Sequence, residues 1–391
     1  MKIFLFKIYL RLDNFICSLF AADDLRNNRS KTSYIKVVMV PETNYKASAP
    51  LYHYPKNHKP IWVDIFERGF TVPEVWYVEL NNAYLISKGL LLNEKKRIFL
   101  ESAFFQREYL NKLRIAHLLL KNLFVNPKQQ YNNIVPLSNR LSNNYFHWTA
   151  ESLPRIALLL EHNGALINSH SIAINEDAPS YVVDSLCSLI GWPKQKIVKL
   201  PVDGIAKTSS CIMVSYEVTR DDSTSMFYAY PPTIFRRLNQ LALENIFLEI
   251  ENSNSCFIIS RARTKSRRLV NETLLINRFE GIHLSIVYLE ELDFVEQVRL
   301  FQNATLIVAP HGAGLTNLIY CNKETVVIEL FPVNRDINQT SSFHQISKAI
   351  GLRYHILMPT PINTLEDMEA DEEMVEQIGE ILRSYNLMGK Q

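Results

Sequence analysis

Short apolar runs alternate with amphipathic stretches along most of this chain. "SIAIN" (171–175), "KIVKL" (196–200) and "SSCIMVSYE" (209–217) read as buried strands, and "SYVVDSLCSLIG" (180–191) as an amphipathic helix. "TIFRRLNQLALENIFLEIENSNS" (233–255) begins as a helix and runs into a polar stretch, which marks a domain boundary. A second alternating series follows. "CFIISR", "IHLSIVYL", "TLIVAP", "TVVIELF" and "RYHILM" predict strands, and "VNETLLINRFE", "DFVEQVRLFQNA" and the final "DEEMVEQIGEILRSY" predict helices. Alternation of this kind argues for parallel sheets with helices on both faces. The chain is thus expected to hold two doubly wound α/β domains in tandem, 1–245 and 246–391, facing a cleft that takes ligands at the carboxyl ends of the strands. Residues 1–60 form an irregular lead-in, with Pro41, Pro50, Pro55 and Pro60 as punctuation. "EVWYVELNNAYLIS" (74–87) reads as a β-hairpin turning at Asn81-Asn82, and "KRIFLESAF" (96–104) as a further strand.

Composition changes this picture little. The chain has 391 residues, 47% of them hydrophobic and 21% charged, enough for a sizeable core. A net charge of +2 makes no general case for nucleic-acid binding. The five cysteines lie at neither metal-ligand nor redox spacing, so they read as reduced core residues of a cytoplasmic protein. Lys7, Arg11 and Asp13 break the apolar N-terminus into stretches shorter than the ~20 residues of a membrane span. No signal-peptide pattern follows it. An amphipathic helix there fits packing on its own domain, or peripheral contact with a cytoplasmic membrane.

Four stretches carry candidate chemistry. In "APHGAGLTNLIYC" (309–321), two of the chain's 11 glycines follow His311 at the end of a predicted buried strand. Gly312, Ala313 and Gly314 allow close backbone approach, and the helix predicted from Gly314 ("GLTNLIYC") turns its unpaired N–H groups toward an anion. Thr316 and Asn317 add donors to what reads as a diphosphate site; without His311, a packing turn would be the better explanation of the glycines. A G-x-G-x-x-G dinucleotide fingerprint is absent, since it needs glycine at Asn317. "ISRARTKSRRLVNE" (259–272) places Ser260, Arg261 and Arg267 in a basic loop after another strand, a composition suited either to phosphate or to plain solvation. In "NYFHWTAESLPR" (144–155), His147 and Glu151 share a face if the segment is helical, and such a pair can deprotonate a hydroxyl. Pro154 argues that the helix begins near Leu153. Glu329, a carboxylate in the apolar run "VVIELF", suits a ribose diol at a strand end. The chain has no D-x-D pair to hold a divalent metal.

These residues, in this order, resemble glycosyltransferase family 61, in particular its bacterial branch of capsular polysaccharide and lipopolysaccharide synthesis. The similarity runs over roughly 135–335 and is carried by the three longer motifs together. The resemblance implies a GT-B fold of two Rossmann-like domains and an inverting, metal-independent transferase without cofactor. Its donor would be a nucleotide sugar, UDP-linked, and its acceptor a glycan or a lipid-linked glycan. It implies donor contacts from Ser260, Arg261, Arg267, the segment His311–Asn317 (with Leu315, Thr316) and Glu329, and a base at Glu151 or His147. It also matches a family Asn–Glu pair to Asn271 and Glu272. Two other readings stay open: a non-catalytic sugar-binding protein on a transferase scaffold, and a nucleotide-binding oxidoreductase, against which the missing fingerprint counts.

Overall fold

The structure, a computed structural model, describes residues 35–46, 48, 51–54, 66–86, 89–94, 99, 102, 127, 129–200, 205–215, 228–246, 255–333 and 341–388. The apolar N-terminus, Cys17 and all of the expected 96–104 strand except Phe99 and Ser102 lie outside them. Among the described residues no helix is long and apolar enough to cross a membrane. Cys187, Cys211, Cys256 and Cys321 are free thiols, the last three buried.

The chain divides into two compact units. The first takes Met1–Pro41, Glu74–Cys187 and Gly191–Glu217, and the second Glu42–Pro73, Ser188–Ile190 and Val218–Gln391. The division therefore falls near 217 rather than at 245, and part of the early chain belongs with the second half. Two sets of contacts account for this. The strand Leu51–Tyr54 pairs in parallel with Arg353–Leu357. The helix Pro232–Asn245 is tied to later segments: Asn239 Nδ2 donates to the carbonyls of Ile319 and Cys321 (2.8 and 3.0 Å), and Arg236 Nε to that of Ala349 (3.0 Å).

In the first unit, four parallel strands lie in the order Ile205–Val214, Gln129–Pro136, Ser171–Asn175, Ile197–Leu200. The sheet is mixed rather than wholly parallel. Val75–Ile86 joins antiparallel to Ile205–Val214, and Val37–Val40 and Leu90–Leu92 pair with it in turn. Val75–Ile86 is one twelve-residue strand, not a hairpin. Its partner pairs with it on both sides of Asn82, from Tyr77 to Ile86, so the left-handed backbone of Asn82 (φ 52°) makes a local irregularity instead of a turn.

The second unit is the more regular. Its six-stranded sheet runs Ser285–Val287, Ser255–Ile259, Ala304–Pro310, Val326–Leu330, Arg353–Leu357, Leu51–Tyr54, every neighbour parallel. Parallel strands buried on both faces read as continuous apolar runs, which is why Val326–Leu330 is buried at every position. One face packs Ile258, Val308, Ile328 and Leu330 against Met374, Val375 and Ile378 of the helix Glu372–Ser384. On the other face, Phe257 meets Phe301 of the helix Phe294–Gln302 edge-on at 5.5 Å. Asp293 and Glu296 form a capping box at the start of that helix.

The strand order reverses between Ser255–Ile259 and Ala304–Pro310, since the chain goes to one side of Ser255–Ile259 first and to the other side afterwards. In open α/β sheets this switch point, at the carboxyl ends, is where a crevice for ligands opens.

Candidate functional site

Both loops that leave the switch point carry candidate residues: 260–271 after Ser255–Ile259, and 311–314 after Ala304–Pro310. The first is not a loose basic loop. The main chain of Arg267 donates to Leu365 (2.9 Å), Met368 to Arg268 (2.7 Å) and Val270 to Met368 (2.9 Å). The Asn271 amide grips Ala370 at both its N–H and its carbonyl (2.9 Å each). Arg268 forks onto buried Asp367 at 2.5–3.2 Å. That guanidinium holds the Asp367 carboxyl well below the usual carboxylate range, with Asn363 and the Arg268 N–H adding to it.

These anchors sort the basic residues. Arg268 is committed to Asp367, and Arg263 to Glu291 and the face of the Tyr288 ring, 4.0 Å from its centroid. Arg261 and Arg267 turn instead toward the 311–312 segment. Arg267, in left-handed backbone (φ 58°), donates from Nη1 to the carbonyl of His311 at 2.8 Å. Arg261 lies so close over Gly312 that a Cβ there would come within 2.2 Å of its Nη1. Gly312 is extended (φ 177°), so it is needed for space and not for its backbone angle. Gly314 likewise leaves room for Leu289, whose Cδ1 would lie 2.7 Å from an added Cβ.

The helix predicted after the glycines is a 3-10 helix, Ala313–Tyr320. Ala313 and Gly314 are partly exposed at its start, where the first N–H groups of any helix lack intrahelical partners. Leu315, Thr316 and Asn317 are buried, the last two completely. The Thr316 hydroxyl donates to Ala313 O (2.6 Å) and the Asn317 amide to Gln297 Oε1 (2.9 Å). These three side chains pack the helix onto its unit. Ser260 is engaged in the same way. It is buried, its hydroxyl accepting from Ala262 N (3.1 Å) and bonding Glu272. Burial pushes the Glu272 carboxyl up, opposed by Ser260 and the Arg261 N–H.

Glu329 is not a water-facing strand end. It is fully buried, one oxygen on His311 Nδ1 (2.6 Å) and the other accepting from the Tyr354 hydroxyl. Both of its oxygens are thus taken up within the unit, by His311 and Tyr354. The His311 ring packs against Phe331 and Phe343, with centroids 5.1 and 5.2 Å away. Neither Tyr354, on a strand, nor Phe343, on the helix Ser341–Ile350, stood out in the sequence, because side-chain periodicity assigns a residue to a face but not to a neighbour.

In the first unit, the loop 137–144 leaves the carboxyl end of Gln129–Pro136. Asn175 ties it down, its amide donating to Asn139 O, Ser142 Oγ and Asn143 Oδ1 at 2.8–2.9 Å. A π-helical turn, His147–Ser152, follows and runs into the helix Leu153–His162. In it, Leu153 N–H reaches back to Trp148 O. Proline cannot donate and its ring crowds the carbonyl four residues back, so a widened turn just before Pro154 accommodates it. His147 Nδ1 meets Glu151 Oε2 at 2.7 Å, as the spacing predicted. Glu151 is 1% exposed and His147 27%. Among the described residues no group of three or more His, Cys, Asp or Glu is placed to hold a metal ion.

Residues 145–328 match the family model described as Glycosyltransferase 61. Three curated proteins are similar over shorter stretches. Protein O-linked-mannose beta-1,4-N-acetylglucosaminyltransferase 2 of Xenopus laevis is 32% identical over 111 residues, 28% of this chain and 19% of that protein. Beta-1,2-xylosyltransferase of Arabidopsis thaliana is 30% identical over 104 residues, 27% and 18% of the two chains. EGF domain-specific O-linked N-acetylglucosamine transferase of Gallus gallus is 30% identical over 114 residues, 28% and 20%. The matched part thus spans about a fifth of each relative's length. The segment 145–328, which contains the His147–Glu151 turn and the Arg261–Gly312 contact, is thus similar to glycosyltransferase family 61.

Proposed function

We propose that this protein is an inverting glycosyltransferase that takes a sugar from a nucleotide sugar, UDP-linked, and joins it to a hydroxyl of a glycan or lipid-linked acceptor. The observation that carries the reading is the convergence of Arg261 and Arg267 on the 311–312 segment beside the switch point, Arg261 over Gly312 and Arg267 on the His311 carbonyl. Two arginines and the first N–H groups of the 313–320 helix meet the charge of a departing diphosphate, the electrostatic contribution that usually dominates such transfers. In this reading they do the work that a metal ion does elsewhere, and no cofactor is needed.

A GT-B division of labour assigns donor binding to the second unit and the base to the first. His147 takes the proton of the acceptor hydroxyl. The hydroxyl oxygen forms its bond to the anomeric carbon as the bond from that carbon to the diphosphate breaks. Buried Glu151 stays on Nδ1 and stabilises the imidazolium, as the carboxylate does in a catalytic triad. The acceptor belongs, in the same reading, to bacterial surface-polysaccharide synthesis at the cytoplasmic face of the membrane. The relatives' names point to protein-linked glycans as the competing acceptor class.

Thermal-shift screening against nucleotide sugars tests the donor, since a ligand at 100 times its Kd stabilises the fold by about 2.7 kcal/mol. A rise with UDP-sugars that Arg261→Ala abolishes is the expected result. An unshifted melt with every nucleotide sugar would reject the assignment. Transfer assays with polysaccharide-repeat and glycopeptide acceptors separate the two acceptor classes.

A further inference from the structure

Strand alternation brings three polar residues of the second unit onto one face. Ala309 and Glu329 are register partners, as are Val327 and Tyr354. Glu329 is thus the diagonal neighbour of Tyr354, within reach of an aromatic side chain. His311, two residues beyond Ala309, projects to the same side. Both oxygens of the fully buried Glu329 are engaged, by His311 Nδ1 and by the Tyr354 hydroxyl. A buried carboxylate persists only where donors compensate it, so each partner depends on the other. His311 is held on its remaining sides as well. Its N–H donates to Leu330 O (2.9 Å), and the rings of Phe331 and Phe343 flank it. Its carbonyl is the acceptor for Arg267 Nη1.

We propose that Tyr354 and Glu329 are positioning residues. They anchor the His311 side chain in the core, and the anchored residue's carbonyl then sets Arg267, and with it Arg261 over Gly312, for a diphosphate. The inference rests on the reading that these arginines bind the donor diphosphate. It assigns Glu329 a role through His311 in place of a ribose contact, and it adds Tyr354 to the site. Burial and the facing Glu329 carboxylate push the Tyr354 phenol well above its ordinary value, so it remains a donor across the working pH range.

The test is calorimetric titration of the full chain with UDP, and NMR titration with uridine, which lacks the phosphates. Tyr354→Phe is expected to weaken UDP about tenfold, the scale of one charge-assisted hydrogen bond. Uridine binding should be unchanged, a selectivity that general loosening of the fold would not produce. The Tyr354→Phe/Arg267→Ala double variant should bind UDP no more weakly than Arg267→Ala alone, because both changes disable the same contact. Glu329→Gln, which keeps the shape and one acceptor oxygen, should repeat the pattern and serves if Tyr354→Phe is too unstable to titrate. Unchanged UDP affinity in both variants, fully multiplicative losses in the double variant, or an equal loss for uridine in Glu329→Gln would each overturn the proposal. Wild-type protein that binds neither UDP nor any other nucleoside diphosphate would overturn the donor reading itself, and this inference with it.

Discussion

At the scale of single residues, exposure separates groups that can meet a substrate from groups that hold them. His147 reaches the surface and Glu151 does not, although their side chains touch. His147→Ala is therefore expected to lower kcat by ~10²–10⁴-fold with KM little changed, and Glu151→Gln to lower it by less. A larger loss in Glu151→Gln would reverse the two roles. Gly312 has little room to change. An added methyl meets the Arg261 guanidinium, so Gly312→Ala should displace that group and weaken UDP by about tenfold or more. Calorimetry checks this, and a near wild-type melting temperature would show that the loss is local.

At the scale of elements, side chains complete the backbone hydrogen bonding of the loops 260–271 and 137–144. Asp367 touches no candidate ligand group, yet it receives both the Arg268 guanidinium and the Arg268 N–H. Asp367→Ala should speed amide exchange at 267–270 and reduce UDP affinity from a distance. Unaltered exchange there would show that the backbone ladder alone holds the loop. Asn175 plays the corresponding part before the π-helical turn, and Asn175→Ala removes its hydrogen bonds to Ser138, Asn139, Ser142 and Asn143. A loss of about 1–3 kcal/mol in urea unfolding is expected. The proline-adjacent turn was legible in outline, since "HWTAESLP" shows both the pair and the break. Its π geometry was not, because how a chain relieves a proline depends on what packs around it.

At the scale of the molecule, acid is the condition that should unfold the second unit. His344 is buried beside Lys348, and burial first, then that ammonium, lower its imidazole to about 3. In the unfolded chain it protonates near its ordinary value of about 6.5. The neutral form therefore stabilises the fold fully above pH ~6.5. That contribution declines as pH falls toward 3, by at most about 1.4 kcal/mol per pH unit. Asp367 acts in the same direction at lower pH: its depressed carboxyl contributes above about 3.9 and less below it. Urea midpoints should fall between pH 7 and 4.5, and the slope should flatten in His344→Met. A midpoint independent of pH over that range would contradict this account.

The alternation of apolar runs and amphipathic helices, the reduced cysteines and the two loops with their arginines and glycines were all legible in the chain. Each is a local property, set by side-chain periodicity or by a residue type at a strand end. What the sequence left open was adjacency. Only the folded sheet makes Glu329 a neighbour of Tyr354, and only it lays Leu51–Tyr54 beside a strand about 300 residues later. Only the folded loops bring Arg261 and Arg267 to the 311–312 segment while Arg263 and Arg268 go to acidic partners, and Arg267 also lies 4.0 Å from Glu366. The physical reason is common to these cases. Local pattern fixes which face a residue occupies, whereas the partner on that face is chosen by strand order and register, which depend on contacts far apart in the chain.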